Sequence, residues 1–162
     1  MKIIIERSPT KIYDRIAVSF ANQLASMGHE VIAISKVSEL GDKFIKEVNE
    51  LKADLYLSTN EQNYIQIYDE ARKEFYFERI NSKIAFIHHD NFLSVLANAD
   101  KINRKIAALK SIEARSSHFC IERDNVKEFN DLGFGNISKI WHASELNRVN
   151  DPVLYYGISF VG

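Results

Sequence analysis

The chain has 162 residues, which is enough for one domain of ordinary size and leaves little room for a second. Its composition, 46% hydrophobic and 27% charged, is that of a folded protein and excludes an intrinsically disordered chain. Lys and Arg number 21 against 22 for Asp and Glu, and this near-balance argues against nucleic acid or an anionic membrane surface as the main partner.

The N-terminal part of the sequence predicts a β-α-β unit. Residues 3–5 are a candidate buried strand, because three β-branched residues in succession suit a sheet that is covered on both faces. Apolar residues then recur every three or four positions from Ile12 to Met27, the pattern of one helix face. Gly28 suits the left-handed residue that ends many helices. Residues 31–34 predict the second strand, and such a crossover implies parallel strands.

The alternation of short apolar runs with helical periodicity continues to residue 141. Over residues 63–80 the aromatic spacing fits a helix, whereas Phe75-Tyr76-Phe77 alone suits a strand, and the length of the segment favours the helix. Strands are predicted over residues 53–58, 84–87, 118–121 and 137–141, and helices over 42–51, 102–109 and 126–132, the last ended by Gly133. The whole pattern predicts an α/β fold with a Rossmann-like, doubly wound, mostly parallel sheet and helices on both faces.

The last twenty residues change in character. Residues 143–152 are polar, with Asn and Asp before Pro152, which is typical of a linker. Residues 155–161 then resume as a predicted strand immediately before the sequence ends. We therefore expect residues 1–146 to form a Rossmann-like domain and residues 147–162 to form a linker with the first strand of a second domain.

Several common sites and segments are absent from the sequence. The loop after the first strand, residues 6–10, has no glycine, so a dinucleotide fingerprint is missing there. The sequence contains neither a P-loop nor a nucleophile-elbow serine. The single cysteine excludes an intrachain disulfide. No apolar run approaches the roughly 20 residues of a membrane span or has the form of a signal peptide, so we expect a cytoplasmic protein.

The most concentrated polar group is His88-His89-Asp90-Asn91, directly after the predicted strand at 84–87. Ligands of doubly wound sheets bind at the carboxyl ends of strands, and a histidine beside a carboxylate can do acid–base chemistry near neutral pH. We take His88, His89 and Asp90 as candidate catalytic residues and Asn91 as a candidate binding residue. Alternation along the strand would instead place one of the two histidines in the core as a hydrogen-bonded residue. Because neighbouring strand residues point to opposite faces, no metal site is expected here.

Further polar residues follow the other predicted strands. The candidates for substrate binding are Ser8, Asn60, Glu122 and His142, and Glu6, Arg7, Ser58, Thr59, Arg123, Asp124 and Ser144 share their placement. Residues of these types are also ordinary helix caps or solvated loop residues, and that interpretation stays open for each of them. Cys120 lies between Phe119 and Ile121 in a predicted strand, so we expect a small buried residue and not a nucleophile.

Four short segments, in their order along nearly the whole chain, resemble one enzyme family. They are residues 24–31, which end in Gly28-His29-Glu30-Val31; Phe86-Ile87-His88-His89-Asp90; residues 126–134 followed by Trp141-His142-Ala143-Ser144; and Tyr156-Gly157-Ile158-Ser159-Phe160-Val161-Gly162. The first three resemble the helix end, the strand-end His-Asp and the region before the interdomain linker of GT-B glycosyltransferases. The last resembles the strand that opens the second domain in the CgeB-like, spore-maturation-type group.

The resemblance implies the N-terminal, acceptor-binding half of a GT-B fold in a glycosyltransferase of hexosyltransferase type. Its partners would be a sugar-containing acceptor and a nucleotide-sugar donor, the donor held mainly by a second domain after Gly162, so that this half would be inactive alone. His89, immediately before Asp90, matches the family's strand-end histidine near the reacting sugar, with His88 as a rival. The resemblance implies no metal and no further cofactor. The alternative is a stand-alone, non-catalytic α/β module for ligand binding or protein interaction.

Overall fold

The computed structural model describes residues 1–7, 11–34, 41–59, 67–89, 99–121 and 123–140. Its elements, in chain order, are β1 (Lys2–Glu6), α1 (Lys11–Ser26), β2 (Glu30–Ile34), α2 (Asp42–Glu50), β3 (Leu55–Ser58), β4 (Tyr68–Asp69), β5 (Glu74–Phe75), a 3-10 turn (Tyr76–Arg79), β6 (Lys83–His88), α3 (Ala99–Ser111), a 3-10 turn (Glu113–Arg115), β7 (Ser116–Cys120), α4 (Arg123–Asp131) and β8 (Ile137–Lys139). None of the helices among these residues is both long and apolar enough to cross a membrane.

Six of the strands form one sheet in the spatial order β2-β1-β3-β6-β7-β8. Every neighbouring pair in this sheet is parallel. The chain steps from β1 to β2 on one side and then returns to β3 on the other side, so the direction of winding reverses between β1 and β3. The predicted doubly wound parallel sheet is therefore confirmed, and its topological switch point lies between these two strands.

Helices cover both faces of the sheet, as predicted. On one face α1 packs through Ala17, Phe20 and Leu24 against inward residues of the central strands. On the other face α2, α3 and α4 bury residues of the larger core. The sheet residues facing α1 include Ile3, Ile5, Leu57, Ala85 and Ile87, and those facing the other helices include Ile4, Tyr56, Ile84, Phe86 and Cys120. The three isoleucines of β1 are all buried because both faces of this strand are covered.

The helix predicted over residues 63–80 is wrong for the part of that range which the structure describes. Residues from 68 to 75 form the two-stranded antiparallel hairpin β4–β5. The Asp69 side chain makes the turn, since its Oδ1 accepts the backbone N–H of Arg72 at 3.1 Å. Tyr68 and Phe75 then pack edge to face, with ring centroids 5.0 Å apart. The aromatic residues that have helical spacing in the sequence therefore pair across a hairpin.

Ion pairs hold this hairpin against the first turn of α2. Arg72 Nη1 and Arg79 Nη1 both contact Asp42 Oδ1, at 2.7 and 2.9 Å. The hydrogen bonds from Arg72 and then Arg79 hold the pKa of the Asp42 carboxyl well below its usual range. The partly buried guanidinium of Arg115 donates to several backbone carbonyls between residues 77 and 82.

The left-handed glycine at the end of α1 allows a stability test. Gly28 has φ +85°, as expected from the sequence, and a Cβ added there would meet no atom within 4 Å. Gly28→Ala should therefore lower the free energy of unfolding by about 1 kcal/mol through backbone strain alone, measured by urea unfolding. Gly135→Ala is the matched control, because its added Cβ also meets nothing and its φ lies outside the left-handed region. Equal losses in the two variants would contradict the assignment.

The Asp42 ion pairs predict a dependence of stability on acid. A carboxyl whose pKa is depressed on folding stabilises the fold above its unfolded pKa of about 4, and this contribution is lost as the pH falls through the folded value. Between about pH 5 and pH 2, the melting temperature of Asp42→Asn should therefore fall less than that of the wild type. Asp124→Asn is the control, since Asp124 also lies in the first turn of a helix and forms no ion pair within the described chain. Parallel acid profiles of wild type and Asp42→Asn would contradict this account.

Candidate functional site

The strand order brings polar residues together at the carboxyl ends of β1, β3 and β6. Glu6 ends β1, Ser58 ends β3 with Thr59 following it, and His88 ends β6 with His89 following it. These three strands are neighbours in the sheet, and the switch point lies between the first two. We call these five residues the polar edge. Open α/β sheets bind their ligands in this position, so the polar edge is the candidate functional site.

Glu6 is a buried carboxylate at the switch point, with 1% of its surface exposed. Its Oε2 accepts hydrogen bonds from Ser58 Oγ at 2.8 Å and from the Tyr56 hydroxyl at 3.2 Å. Alternate residues of a strand share a face, so Tyr56 and Ser58 both reach the carboxylate from the neighbouring strand. A buried carboxylate is stable only with such donors. The sequence predicts a loop at residues 6–10, whereas Glu6 is the buried last residue of β1.

Arg7, the next residue, is engaged elsewhere. Its Nε and Nη2 donate to the two carboxylate oxygens of Asp14 at 2.8 and 2.6 Å. This bidentate pair raises the pKa of Arg7 and lowers the pKa of Asp14, in both cases mainly through the side-chain hydrogen bonds. The pair joins the end of β1 to the first turns of α1 and so fixes the backbone that carries Glu6.

Thr59 has hydrogen-bonding capacity that the described residues do not use. Its side chain is fully buried directly after β3, and its Oγ1 has no hydrogen-bond partner among the residues that the structure describes. Buried hydroxyls are normally paired, and an unpaired one at a ligand-binding edge is a candidate contact for a bound group. Thr59 therefore remains in the candidate site beside Ser58.

Of the polar edge, His88 is the residue that lies in the aromatic core. Its side chain is fully buried, and its Nε2 lies 3.0 Å from His118 Nδ1. The two imidazoles are stacked at 5.2 Å between centroids, and the Phe129 ring lies 4.7 Å from His88 and 4.9 Å from His118. One nitrogen of the pair must donate and the other accept. His88 is thus the histidine that becomes a hydrogen-bonded core residue, the alternative that spacing alone could not assign to one of the pair.

His89 occupies a different environment from His88. It follows the last residue of β6 and is half-buried. In β6, Ile87 faces α1 and Phe86 faces the other helices, and the same alternation assigns His89 to the α1 side. Of the two histidines, His89 is the partly exposed one, although both of its ring nitrogens are buried.

The other predicted site residues do not all fall within the described part of the chain. Ser8, Asn60, Asp90, Asn91, Glu122 and His142 lie outside it. Cys120 is fully buried in the core, which confirms the expectation of a small apolar residue. Within residues 1–7, 11–34, 41–59, 67–89, 99–121 and 123–140, no three His, Cys, Asp or Glu side chains form a group that could hold a metal ion.

The His88–His118 pair predicts a strong energetic coupling. His88→Phe or His118→Phe alone should lower the free energy of unfolding by about 1–3 kcal/mol, because each leaves a buried imidazole nitrogen without its partner. The double variant should be more stable than the sum of the two losses predicts, because two phenyl rings leave neither imidazole nitrogen unpaired and suit the surrounding phenylalanines. The loss of the 3.4 Å contact between Ser116 Oγ and His118 Nε2 is common to His118→Phe and the double variant, so it does not enter the coupling. Urea unfolding of all four proteins measures this coupling. Strictly additive losses would show that the hydrogen bond contributes nothing.

Comparisons with known proteins do not assign a function to this site. No protein-family model matches the chain, and no curated protein matches it. A doubly wound α/β sheet hosts many unrelated functions, so the fold alone does not select one. The evidence for a function therefore lies in the polar edge and in the segments of sequence around it.

Proposed function

We propose that this chain is the N-terminal, acceptor-binding domain of a cytoplasmic GT-B glycosyltransferase of the CgeB-like group. The enzyme would transfer a sugar from a nucleotide-sugar donor, and a second Rossmann-like domain would hold most of that donor. Four segments of the sequence resemble this group and occur in the same order along the chain, which supports the proposal. The parallel sheet, whose carboxyl edge carries polar residues on three neighbouring strands, supports it as well.

The observation that carries the proposal is the difference between the two neighbouring histidines. His88 is buried against His118 and Phe129, whereas His89 is half-buried after the strand end. An imidazole can accept a proton from a sugar hydroxyl or hydrogen-bond to the reacting sugar near neutral pH, and at His89 this requires the two buried ring nitrogens to become accessible at the strand end. We therefore assign the contact with the reacting sugar to His89. His88, by anchoring the end of β6, is assigned a positioning role.

The proposed GT-B arrangement places the reaction in a cleft between two domains. Donor and acceptor must be held together in a near-attack arrangement while water is kept from the activated sugar. A cleft between two domains provides both conditions, and one edge of one sheet provides neither. The 162-residue chain by itself is accordingly expected to transfer no sugar.

The test is a transfer assay on the complete gene product, with UDP-, GDP- and dTDP-sugars as donors and the release of nucleoside diphosphate as the readout. We expect His89→Ala to lower kcat/KM by about a hundredfold, the usual contribution of a positioned acid–base group. His29→Ala is the matched control, because His29 is a partly exposed histidine at the opposite end of the sheet, between α1 and β2. Unchanged transfer by His89→Ala would remove His89 from this role.

A stand-alone binding module is the second candidate. The observation that favours it is that Glu6, Ser58 and His88 are buried and hydrogen-bonded, as structural residues are. This candidate expects the complete gene product to release no nucleoside diphosphate from any of the donors. Release that depends on an added acceptor would contradict it.

A further inference from the structure

A cavity of about 330 Å³ lies between α4 and β8, apart from the polar edge. It is lined by Arg123, Asp124, Val126, Lys127, Asn130 and Lys139. We call it the α4–β8 pocket. The residues at 123, 127 and 130 recur at helical spacing on one face of α4, and Lys139 is the last residue of β8. Two consecutive elements thus build one site.

The α4–β8 pocket opens at the same edge of the sheet as the candidate site. The helix α4 begins shortly after β7 ends, and Arg123 is its first residue. Lys139 ends the strand that pairs in parallel with β7. Both residues therefore lie at the carboxyl edge, as do Glu6 on β1 and His88 on β6.

The charges of the pocket favour an anion. Three cationic side chains and one carboxylate, Asp124, line it, so its formal charge is +2. Within the described chain, Arg123 and Lys127 form no hydrogen bond or ion pair. Lys139, by contrast, already has an interaction partner in the structure. The donors of Arg123 and Lys127 are therefore available to a ligand.

We propose that the α4–β8 pocket binds a phosphoryl group, and that this group belongs to the sugar acceptor. A phosphate monoester carries up to two negative charges and several acceptor oxygens, which match the guanidinium of Arg123 and the ammonium of Lys127. The positive end of the α4 dipole, where Arg123 lies, adds a field of the same polarity. Asp124 opposes binding, and Val126 offers an apolar contact to the sugar. The acceptor assignment rests on the proposed function, whereas binding of a phosphoryl group does not.

The binding test uses the 162-residue chain, labelled with 15N, at low ionic strength. Inorganic phosphate, glucose 6-phosphate, glucuronate and glucose are titrated separately while the amide signals of α4 and β8 are followed. We expect the two phosphates to shift these signals with saturation, glucose 6-phosphate to bind at least about tenfold more tightly than glucuronate, and glucose to have no effect.

Variants locate the binding and separate it from net charge. Arg123→Gln and Lys127→Gln should each weaken glucose 6-phosphate binding by about tenfold, and Asp124→Asn should tighten it by about threefold. Arg104→Gln and Lys101→Gln on α3 are the matched controls, because both residues are exposed and carry the same charge. Equal weakening by the controls, or equal affinity for glucuronate, would overturn the phosphoryl site.

A transfer assay on the complete gene product separates this proposal from the proposed function. If phosphorylated acceptors are used and Arg123→Gln raises KM for them with kcat unchanged, the acceptor assignment stands. If transfer depends on His89 but Arg123→Gln leaves KM unchanged, the acceptor assignment is wrong and the glycosyltransferase stands. If the pocket binds glucose 6-phosphate and no sugar transfer occurs, the proposed function and the acceptor assignment are wrong and the phosphoryl site stands.

Discussion

The position of β1 is the constraint on which the rest of the structure depends. This strand pairs on both sides, with β2 and with β3, and its three isoleucines are buried against helices on both faces. A strand buried in this way can place a polar side chain only at its end, where the backbone leaves the sheet. Glu6 occupies that end. Because the direction of winding reverses between β1 and β3, Glu6 lies at the topological switch point. The location of the candidate site follows from this one strand.

Buried polar pairs then hold the edge in place. Glu6 accepts hydrogen bonds from Ser58 and Tyr56 across the β1–β3 boundary. His88 is hydrogen-bonded to His118 across the β6–β7 boundary. Each pair joins neighbouring strands near their carboxyl ends, where the apolar core stops. A buried polar group that loses its partner costs more than the hydrogen bond contributes, so these pairs disfavour other arrangements of the strand ends. His89 is attached to this fixed framework.

The polar edge and the α4–β8 pocket lie along the same edge of one sheet. If the polar edge holds the reacting sugar, the pocket can hold a charged group on another part of the same acceptor. Binding energy from such a remote group can be used to orient the reacting hydroxyl. The two proposals are therefore compatible in geometry, and each depends on its own residues.

The sequence by itself determined the fold class, the six strands of the sheet to within about two residues, the left-handed Gly28, the helix-ending Gly133 and the burial of Cys120. These follow from local periodicity and local backbone preference. It located the strand-end histidines but could not separate their roles. Only the tertiary structure decided that His88 is the core histidine, because its partner His118 is distant in sequence. The burial of Glu6 was likewise decided by contacts with a segment far away in the chain, and the hairpin at Tyr68–Phe75 by a side-chain turn at Asp69, neither of which periodicity encodes.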